Sequence, residues 1–284
     1  MSDDSKIEWT DATWNPVTGC TKVSPGCDHC YAETFAERWR GIKGHHFEQG
    51  FDVRLRPERL EIPLHWKRPR RIFVNSMSDV FHESVPSGFI ACMFAVMAAT
   101  PQHTYQVLTK RHGRMRSLLN SDEFAIKSAC AALSKGLDVA EGAPWPLPNV
   151  WLGVSTENQK WANIRIPALL DTPAAVRFVS AEPLLGPIRM RASLLVGRIL
   201  DPPDGIGWVI GGGESGPGAR PCEIDWLRSL RDQCIDAGVP VFIKQLGSVL
   251  GHRLDAGSKG GDWSAWPEDL RIREFPRIAE EMAA

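Results

Sequence analysis

The sequence predicts an α/β fold: a parallel (β/α) partial TIM-like barrel of about six strand–helix units, followed by a C-terminal extension. Six short apolar runs, mostly β-branched, recur along the chain, and polar loops and helical stretches separate them. Each run is apolar almost throughout, as in parallel strands that are covered on both faces. The length of 284 residues suits one such barrel.

The predicted strands fall, in chain order, at residues 72–75, 105–108, 150–154, 176–179, 208–210 and 241–243. A weaker run at 7–10 predicts a further early strand. The predicted helices lie at residues 31–40, 89–99, 159–170 and 224–237, and Pro167 should kink or shorten the third of these. The barrel is expected to occupy residues 1–246. The Gly-rich and then charged segment 247–284 is the predicted extension.

Composition excludes several classes of protein. Charged residues make up 24% of the chain and apolar residues 43%, which is typical of a globular protein and not of a disordered one. The net charge of −1 excludes a generally polycationic nucleic-acid binder. The longest apolar run, 89–99, is much shorter than the roughly 20 residues of a membrane helix. Residues 1–6 are polar and resemble no signal peptide, so we expect a cytoplasmic protein without membrane contact.

Polar side chains follow every predicted strand, at the end where parallel α/β folds carry their chemistry. Glu157, Glu182 and Glu214 each come two to four positions after a strand, and Lys110 follows the second strand. One such residue would be ordinary in a polar loop. Six sets of polar residues, one after each strand, are expected to face the same end of the barrel, and together they predict a functional site there. Lys110, Glu182 and Glu214 are the candidate catalytic residues.

A cluster of three cysteines near the N-terminus is the strongest motif. Cys20, Cys27 and Cys30 have the spacing C-x6-C-x2-C, within a total of 7 cysteines. In a reducing compartment such a cluster suggests metal binding or catalysis before disulfides. Two cysteines separated by two residues can turn both sulfurs toward one metal, and the Pro/Gly loop can bring the third. An iron–sulfur cluster held by three cysteines leaves one iron open to a substrate or cofactor.

Three other interpretations of the cysteines stay open. A structural zinc site needs a fourth ligand. The candidates for that ligand are His29, His45, His46 and Cys222. A redox pair would use Cys27 and Cys30 alone and would leave Cys20 unexplained. The cysteines could also be structural in a non-catalytic interaction protein.

The three-cysteine loop ahead of a parallel α/β barrel resembles the radical S-adenosylmethionine (SAM) superfamily. The usual spacing there is C-x3-C-x2-C with an aromatic-type residue before the last cysteine; His29 fits that position, and C-x6 departs from the spacing. The chain also resembles an uncharacterised phage- and prophage-associated three-cysteine family over most of residues 5–250. That second resemblance rests on segments 14–20, 178–184 and 211–216 with Cys27, Cys30 and Tyr31.

The radical SAM resemblance implies a [4Fe-4S] cluster on Cys20, Cys27 and Cys30, with SAM bound at the open iron. An electron from a reductant such as flavodoxin or ferredoxin would then release a 5′-deoxyadenosyl radical. The implied cofactor-binding residues are His29, Ser76, Ser78, Asp79, Ser155, Glu157, Asn158, Gly212, Gly213 and Ser215. Among these, residues 76–79 would lie near the amino group of SAM, and residues 155–158 would hold its ribose hydroxyls. The two glycines would let the backbone approach the ligand.

Basic residues indicate a class of substrate. Lys110 and Arg111 lie on the predicted functional face, where they could bind a phosphate or the SAM carboxylate. This favours a nucleic-acid or nucleotide substrate, and the competing interpretation is a solvated surface balanced by acids elsewhere. The runner-up function is a zinc-stabilised nucleic-acid-binding or nuclease-type protein, associated with phages. It would use the three strand-end glutamates and two basic runs, within residues 67–71 and 110–116.

Overall fold

The structure is a computed structural model that describes residues 5–139, 143–191, 194–195 and 205–276. The strands are β1 (Ala12–Trp14), β2 (Val17–Thr18), β3 (Arg54–Leu55), β4 (Arg71–Val74), β5 (Thr104–Thr109), β6 (Val150–Ser155), β7 (Val176–Ala181), β8 (Trp208–Gly212) and β9 (Val241–Gln245). The helices are α1 (Tyr31–Glu37), α2 (Ser87–Ala98), α3 (His112–Leu119), α4 (Asp122–Ser134), α5 (Gln159–Leu170), α6 (Ile224–Ala237) and α7 (Ser248–Arg253).

Seven strands form one parallel sheet in the order β1-β4-β5-β6-β7-β8-β9, and β2 pairs with β3 in a small antiparallel sheet. The alternation of parallel strands with helices confirms the predicted fold class, an α/β partial TIM-like barrel. All six predicted strands are present within two residues of their predicted bounds. The early strand lies at Ala12–Trp14 and not at 7–10, where Thr10 N–H donates to the Ile7 carbonyl in a turn (3.1 Å).

Helices α5 and α6 have the predicted bounds, and Pro167 is accommodated inside α5. Helix α1 ends three residues before its predicted end. The chain turns there because Arg40 folds back onto Glu37 and Asp52, with N···O distances of 2.6 and 3.0 Å. Sequence reasoning missed α3, α4 and α7. In α3 only Met115 and Leu119 are buried, so its apolar pattern is weak. Among the described residues, no helix is long and apolar enough to span a membrane.

The first compact unit comprises Met1–Gly153 and Asp171–Ala175. Its core lies around α2, which buries side chains on every side, as its uniformly apolar sequence predicts. Phe94 on α2 meets Phe124 on α4 edge to face, with ring centroids 5.5 Å apart. Trp14 of β1 packs on Tyr105 of β5 at 5.7 Å, so the edge strand is held by large aromatic side chains as well as by backbone pairing.

The second compact unit comprises Val154–Leu170 and Val176–Ala284. Strands β7, β8 and β9 form its sheet, and Trp208 of β8 packs on Phe178 and Phe242 of the flanking strands. The described part of the predicted extension belongs to this unit. Ile243 N–H donates to the Ile272 carbonyl at 3.0 Å, beside an antiparallel bridge between Phe242 and Arg273. The extension therefore lies along β9, and the domain boundary at 246 stays a prediction.

Candidate functional site

The cysteine loop, residues 19–30, follows β2 and is fixed at its first residues. Gly19 has φ +85°, and a Cβ there would lie 2.2 Å from the Asp52 carbonyl oxygen. Only glycine fits this position. Gly19 N–H donates to the Met77 carbonyl (2.9 Å) and Cys20 N–H to the Phe51 carbonyl (3.2 Å). The backbone of Cys20 is therefore held on both sides, although most of the loop has no regular structure.

The three clustered cysteines are free thiols, each half-buried, and Cys30 is the N-cap of α1. His29 between them is exposed. Three thiols on one loop are ligands of the type that binds zinc or an iron–sulfur cluster. In the described part of the chain, no three His, Cys, Asp or Glu side chains form a metal-binding group, so ligation requires these thiols to turn toward one point. The predicted ligand set stays a prediction.

Hydrogen bonds join the turn after β4 to both flanks of the cysteine loop. The Tyr31 hydroxyl donates to the Ser76 carbonyl (2.6 Å), and Asn15 Nδ2 donates to Ser76 Oγ (3.1 Å). Ser78 Oγ donates to the Val17 carbonyl (2.9 Å). Ser76 and Ser78, two predicted cofactor-binding residues, thus lie next to the loop, and their side chains hold it in place.

Asp79 joins the same turn to the end of β5. Its carboxylate is 6% exposed and accepts from Thr109 Oγ1 (2.7 and 2.9 Å), Lys110 N–H (3.0 Å) and Phe81 N–H (2.9 Å). Protein donors therefore occupy the oxygens for which we predicted a cofactor. The Lys110 side chain is half-buried, and no acidic partner for it is found in the described part of the chain. Lys110 is thus a cation available to an anionic ligand.

Arg111 holds the cysteine loop from the end of β5. Its Nη2 donates to the Thr21 carbonyl (3.2 Å) and to Thr21 Oγ1 (2.7 Å), while Nη1 pairs with Glu83. His82 Nε2 lies 3.0 Å from the same Thr21 hydroxyl. Sequence reasoning placed Arg111 on the functional face but gave it no role toward the cysteines, because 90 residues separate it from Thr21.

The same contacts set the electrostatics around the first cysteine. Burial and the negative charge of Asp79 raise the pKa of the Cys20 thiol to about 11. The nearby positive charge of the Arg111 guanidinium acts in the opposite direction and lowers the pKa of that thiol. Burial, and then the positive charge of Arg111, lowers the pKa of His82, so the imidazole beside the loop is held neutral. Cys20 needs a metal, or more positive charge, to become a thiolate near neutral pH.

At the end of β4, Asn75 is a polar residue that sequence reasoning missed. It is 3% exposed and adopts φ +58°, in the left-handed region. Both its Nδ2 and its Oδ1 are buried and have no hydrogen-bond partner among the described residues. A buried amide without partners costs free energy. The signal in the sequence was an asparagine directly after a strand, which by itself predicts only a turn.

In the second unit, the predicted ribose-binding residues have structural partners. Glu157 and Arg165 are both 0% exposed and ion-paired at 3.1 Å, and Arg165 also donates to the Ser155 carbonyl (2.7 Å). Asn158 Oδ1 accepts from Trp161 N–H at 3.3 Å, near the start of α5. No oxygen of Glu157 reaches solvent. Its predicted role would require it to leave this pair.

Glu214 also has a partner that occupies its carboxylate. Its side chain is 5% exposed, and Arg220 contacts both oxygens through Nε (2.9 Å) and Nη2 (2.6 Å) while its backbone N–H adds a third bond (2.8 Å). This fork closes the loop after β8 on itself. Ser215, the next residue, is half-buried. The predicted catalytic Glu214 thus has its strongest contacts within its own loop.

Glu182 is the most accessible of the three strand-end glutamates. Its Oε1 pairs with Lys244 Nζ at 3.2 Å, and the two side chains are 14% and 23% exposed. A Cβ at Gly212 would lie 2.7 Å from that Oε1, and one at Gly213 would lie 2.3 Å from the Leu246 carbonyl. The absence of a side chain at Gly212 therefore leaves space for the Glu182 carboxylate, and its absence at Gly213 leaves space for the backbone of Leu246. Sequence reasoning noted Lys244 after the sixth strand but did not pair it with Glu182.

The fold and these contacts define an α/β partial-barrel protein with a loop of three free thiols at the carboxyl end of its edge strand. The first unit brings the thiol of Cys20 together with Asp79 and Arg111, and the second brings Ser155 together with Glu182. The convergence of all six strand ends at one mouth stays a prediction.

The chain belongs to the family described as "Protein of unknown function (DUF5131)", whose profile matches residues 4–266. Neither the curated proteins nor the solved structures include a match to this chain.

Proposed function

We propose that the protein is a [4Fe-4S]-dependent radical SAM-type enzyme. The observation that supports this most is the place of the cysteine loop: it comes after β1, the edge strand of the parallel sheet, with only the short strand β2 between them. A parallel bridge between Gly19 and Ser78 continues that alignment past the strand ends. This arrangement agrees with the resemblance to the radical SAM superfamily, which rests on a three-thiol loop ahead of a parallel α/β partial barrel.

Cys20, Cys27 and Cys30 would hold the cluster, which would pass one electron from a reductant to bound SAM and so allow a carbon–sulfur bond of its sulfonium to break. The chain's own residues position the loop. Arg111 fixes Thr21 and its guanidinium favours the thiolate form of Cys20. A cytoplasmic location suits this proposal, because all seven cysteines are free thiols.

Two polar groups at the ends of β4 and β5 support a bound small molecule. Lys110 offers an ammonium without an acidic partner in the described part of the chain, which suits the carboxylate of SAM or a phosphate. Asn75 offers a buried amide whose two polar atoms lack partners among the described residues. A ligand with an acceptor and a donor would satisfy that amide. Asn75 and Lys110 directly follow the neighbouring strands β4 and β5.

The test is cleavage of SAM by anaerobically prepared, reduced protein, with 5′-deoxyadenosine as the measured product. We expect wild-type protein to form this product and Cys20→Ala, Cys27→Ala and Cys30→Ala each to reduce it to background. Cys130→Ala is the matched control, because Cys130 is an exposed thiol outside the cluster. Product formation that survives loss of any clustered cysteine, or a wild-type protein with bound iron that leaves SAM intact, would refute the proposal.

A further inference from the structure

We propose that Glu182 and Lys244 form a binding site for the hydrogen-bonding edge of a nucleobase, where a ring carbonyl or ring nitrogen lies beside an N–H. This inference names the class of substrate for the proposed enzyme, and to that extent it depends on the proposed function. Binding of the base itself involves only residues of the second unit and requires no iron.

The pair bridges the end of one strand. Glu182 directly follows β7, Lys244 lies in β9, and β8 runs between these strands. The Nζ–Oε1 contact of 3.2 Å therefore crosses the carboxyl end of β8. Gly212 occupies that end, and any Cβ there would lie 2.7 Å from Glu182 Oε1. The missing side chain on β8 is what lets the carboxylate reach the ammonium.

The pair differs from the other ion pairs at the strand ends of this unit. Glu157 and Arg165 are wholly buried, and the Arg220 fork saturates both oxygens of Glu214. Lys244 instead occupies one oxygen of Glu182. Among the described residues, the donor nearest to the other oxygen is Ser180 Oγ, at 3.5 Å. At 14% and 23% exposure, the two side chains are partly desolvated and still open to a ligand.

The chemistry of the pair selects its ligand. A carboxylate beside an ammonium offers an acceptor next to a donor, so it complements a ligand with a donor next to an acceptor. The two charges cancel, so a neutral ligand meets no net repulsion. Uracil presents N3–H beside O4, and guanine presents N1–H beside O6; a carboxylate accepts the N–H and an ammonium donates to the oxygen. The pair thus matches this edge of the base and not a phosphate.

The test is isothermal titration of the full-length protein, free of iron and in air, with UMP, GMP and 3-methyl-UMP. We expect saturable binding of UMP or GMP and at least tenfold weaker binding of 3-methyl-UMP than of UMP, because the methyl group removes the N–H. In Glu182→Met, which has no oxygen to accept the N–H, this methylation effect should shrink to less than twofold, and Lys244→Met should weaken UMP binding at least tenfold. Exposed residues of the same unit give the controls Glu268→Met and Lys259→Met, which should bind as wild type does.

Gly212→Ala is a second test variant, and it keeps both charges. Because its added Cβ displaces the Glu182 carboxylate, it should also lose the methylation effect. Thermal unfolding of each variant shows whether it is folded. Absence of saturable binding at millimolar nucleotide, or a methylation effect equal in wild type and Glu182→Met, would overturn the inference. Wild-type protein that cleaves SAM and binds no base would refute this inference alone, whereas base binding without SAM cleavage would refute the proposed function alone.

Discussion

At the scale of single residues, the molecule uses charged pairs in different ways, and burial separates them. Arg165 donates to Glu157 and to the Ser155 carbonyl, and its guanidinium stacks 4.2 Å from the Trp161 ring. With no exposure to water, each charge depends on its partner. The pair is therefore structural, whereas the partly exposed Glu182–Lys244 pair keeps polar atoms open to a ligand.

Replacing Arg165 by Met should leave Glu157 as an uncompensated buried charge. We expect the free energy of unfolding to fall by about 3–5 kcal/mol, measured by urea denaturation. Arg228→Met is the control: Arg228 is partly exposed and pairs with Asp225 and Asp269, and its loss should leave the free energy of unfolding almost unchanged. An Arg165→Met protein as stable as Arg228→Met would contradict the structural role assigned to this pair.

At the scale of elements, the strands were predictable and the contacts of the cysteine loop were not. Strands such as β6 and β8 are almost wholly apolar and buried along their length, so their sequence alone indicates buried parallel strands. Strand β1 has only three residues, and its pairing with β4 sixty residues later decides its position. Arg111 and Thr21, or Glu182 and Lys244, likewise meet through the fold. Periodicity identifies an element, while such distant pairs depend on topology.

Gly19 is the position where the cysteine loop most depends on its backbone. Gly19→Ala would place a Cβ 2.2 Å from the Asp52 carbonyl oxygen at φ +85°, so we expect it to destabilise the protein by more than about 1 kcal/mol. It should also reduce the iron retained by the protein, because Cys20 follows directly. Gly88→Ala, in α2 with open space around its Cβ, should be neutral or slightly stabilising. Equal thermal midpoints and equal iron content in the two variants would show that the loop does not need this glycine.

At the scale of the whole molecule, the sequence could predict which types of residue form the candidate site, but only some of their contacts. The three cysteines were visible from spacing, and the polar strand ends followed from the alternation of strands and helices. The partners that occupy Asp79, Glu157 and Glu214 were not visible, because each carboxylate is satisfied by donors that only the folded chain brings to it. The sequence pattern identified the residues that could carry chemistry. Their burial in the folded chain then distinguished structural carboxylates from accessible ones.

The central claim is that three thiols of the cysteine loop bind an iron–sulfur cluster. The measurement that tests it most directly is the iron, acid-labile sulfide and zinc content of wild-type protein purified without oxygen, beside Cys20→Ala and the control Cys130→Ala. We expect about four iron and four sulfide per chain in wild type and in the control, and loss of both in Cys20→Ala. A colourless wild-type protein with one zinc per chain and no iron would contradict the claim and support the zinc-stabilised nucleic-acid-binding alternative.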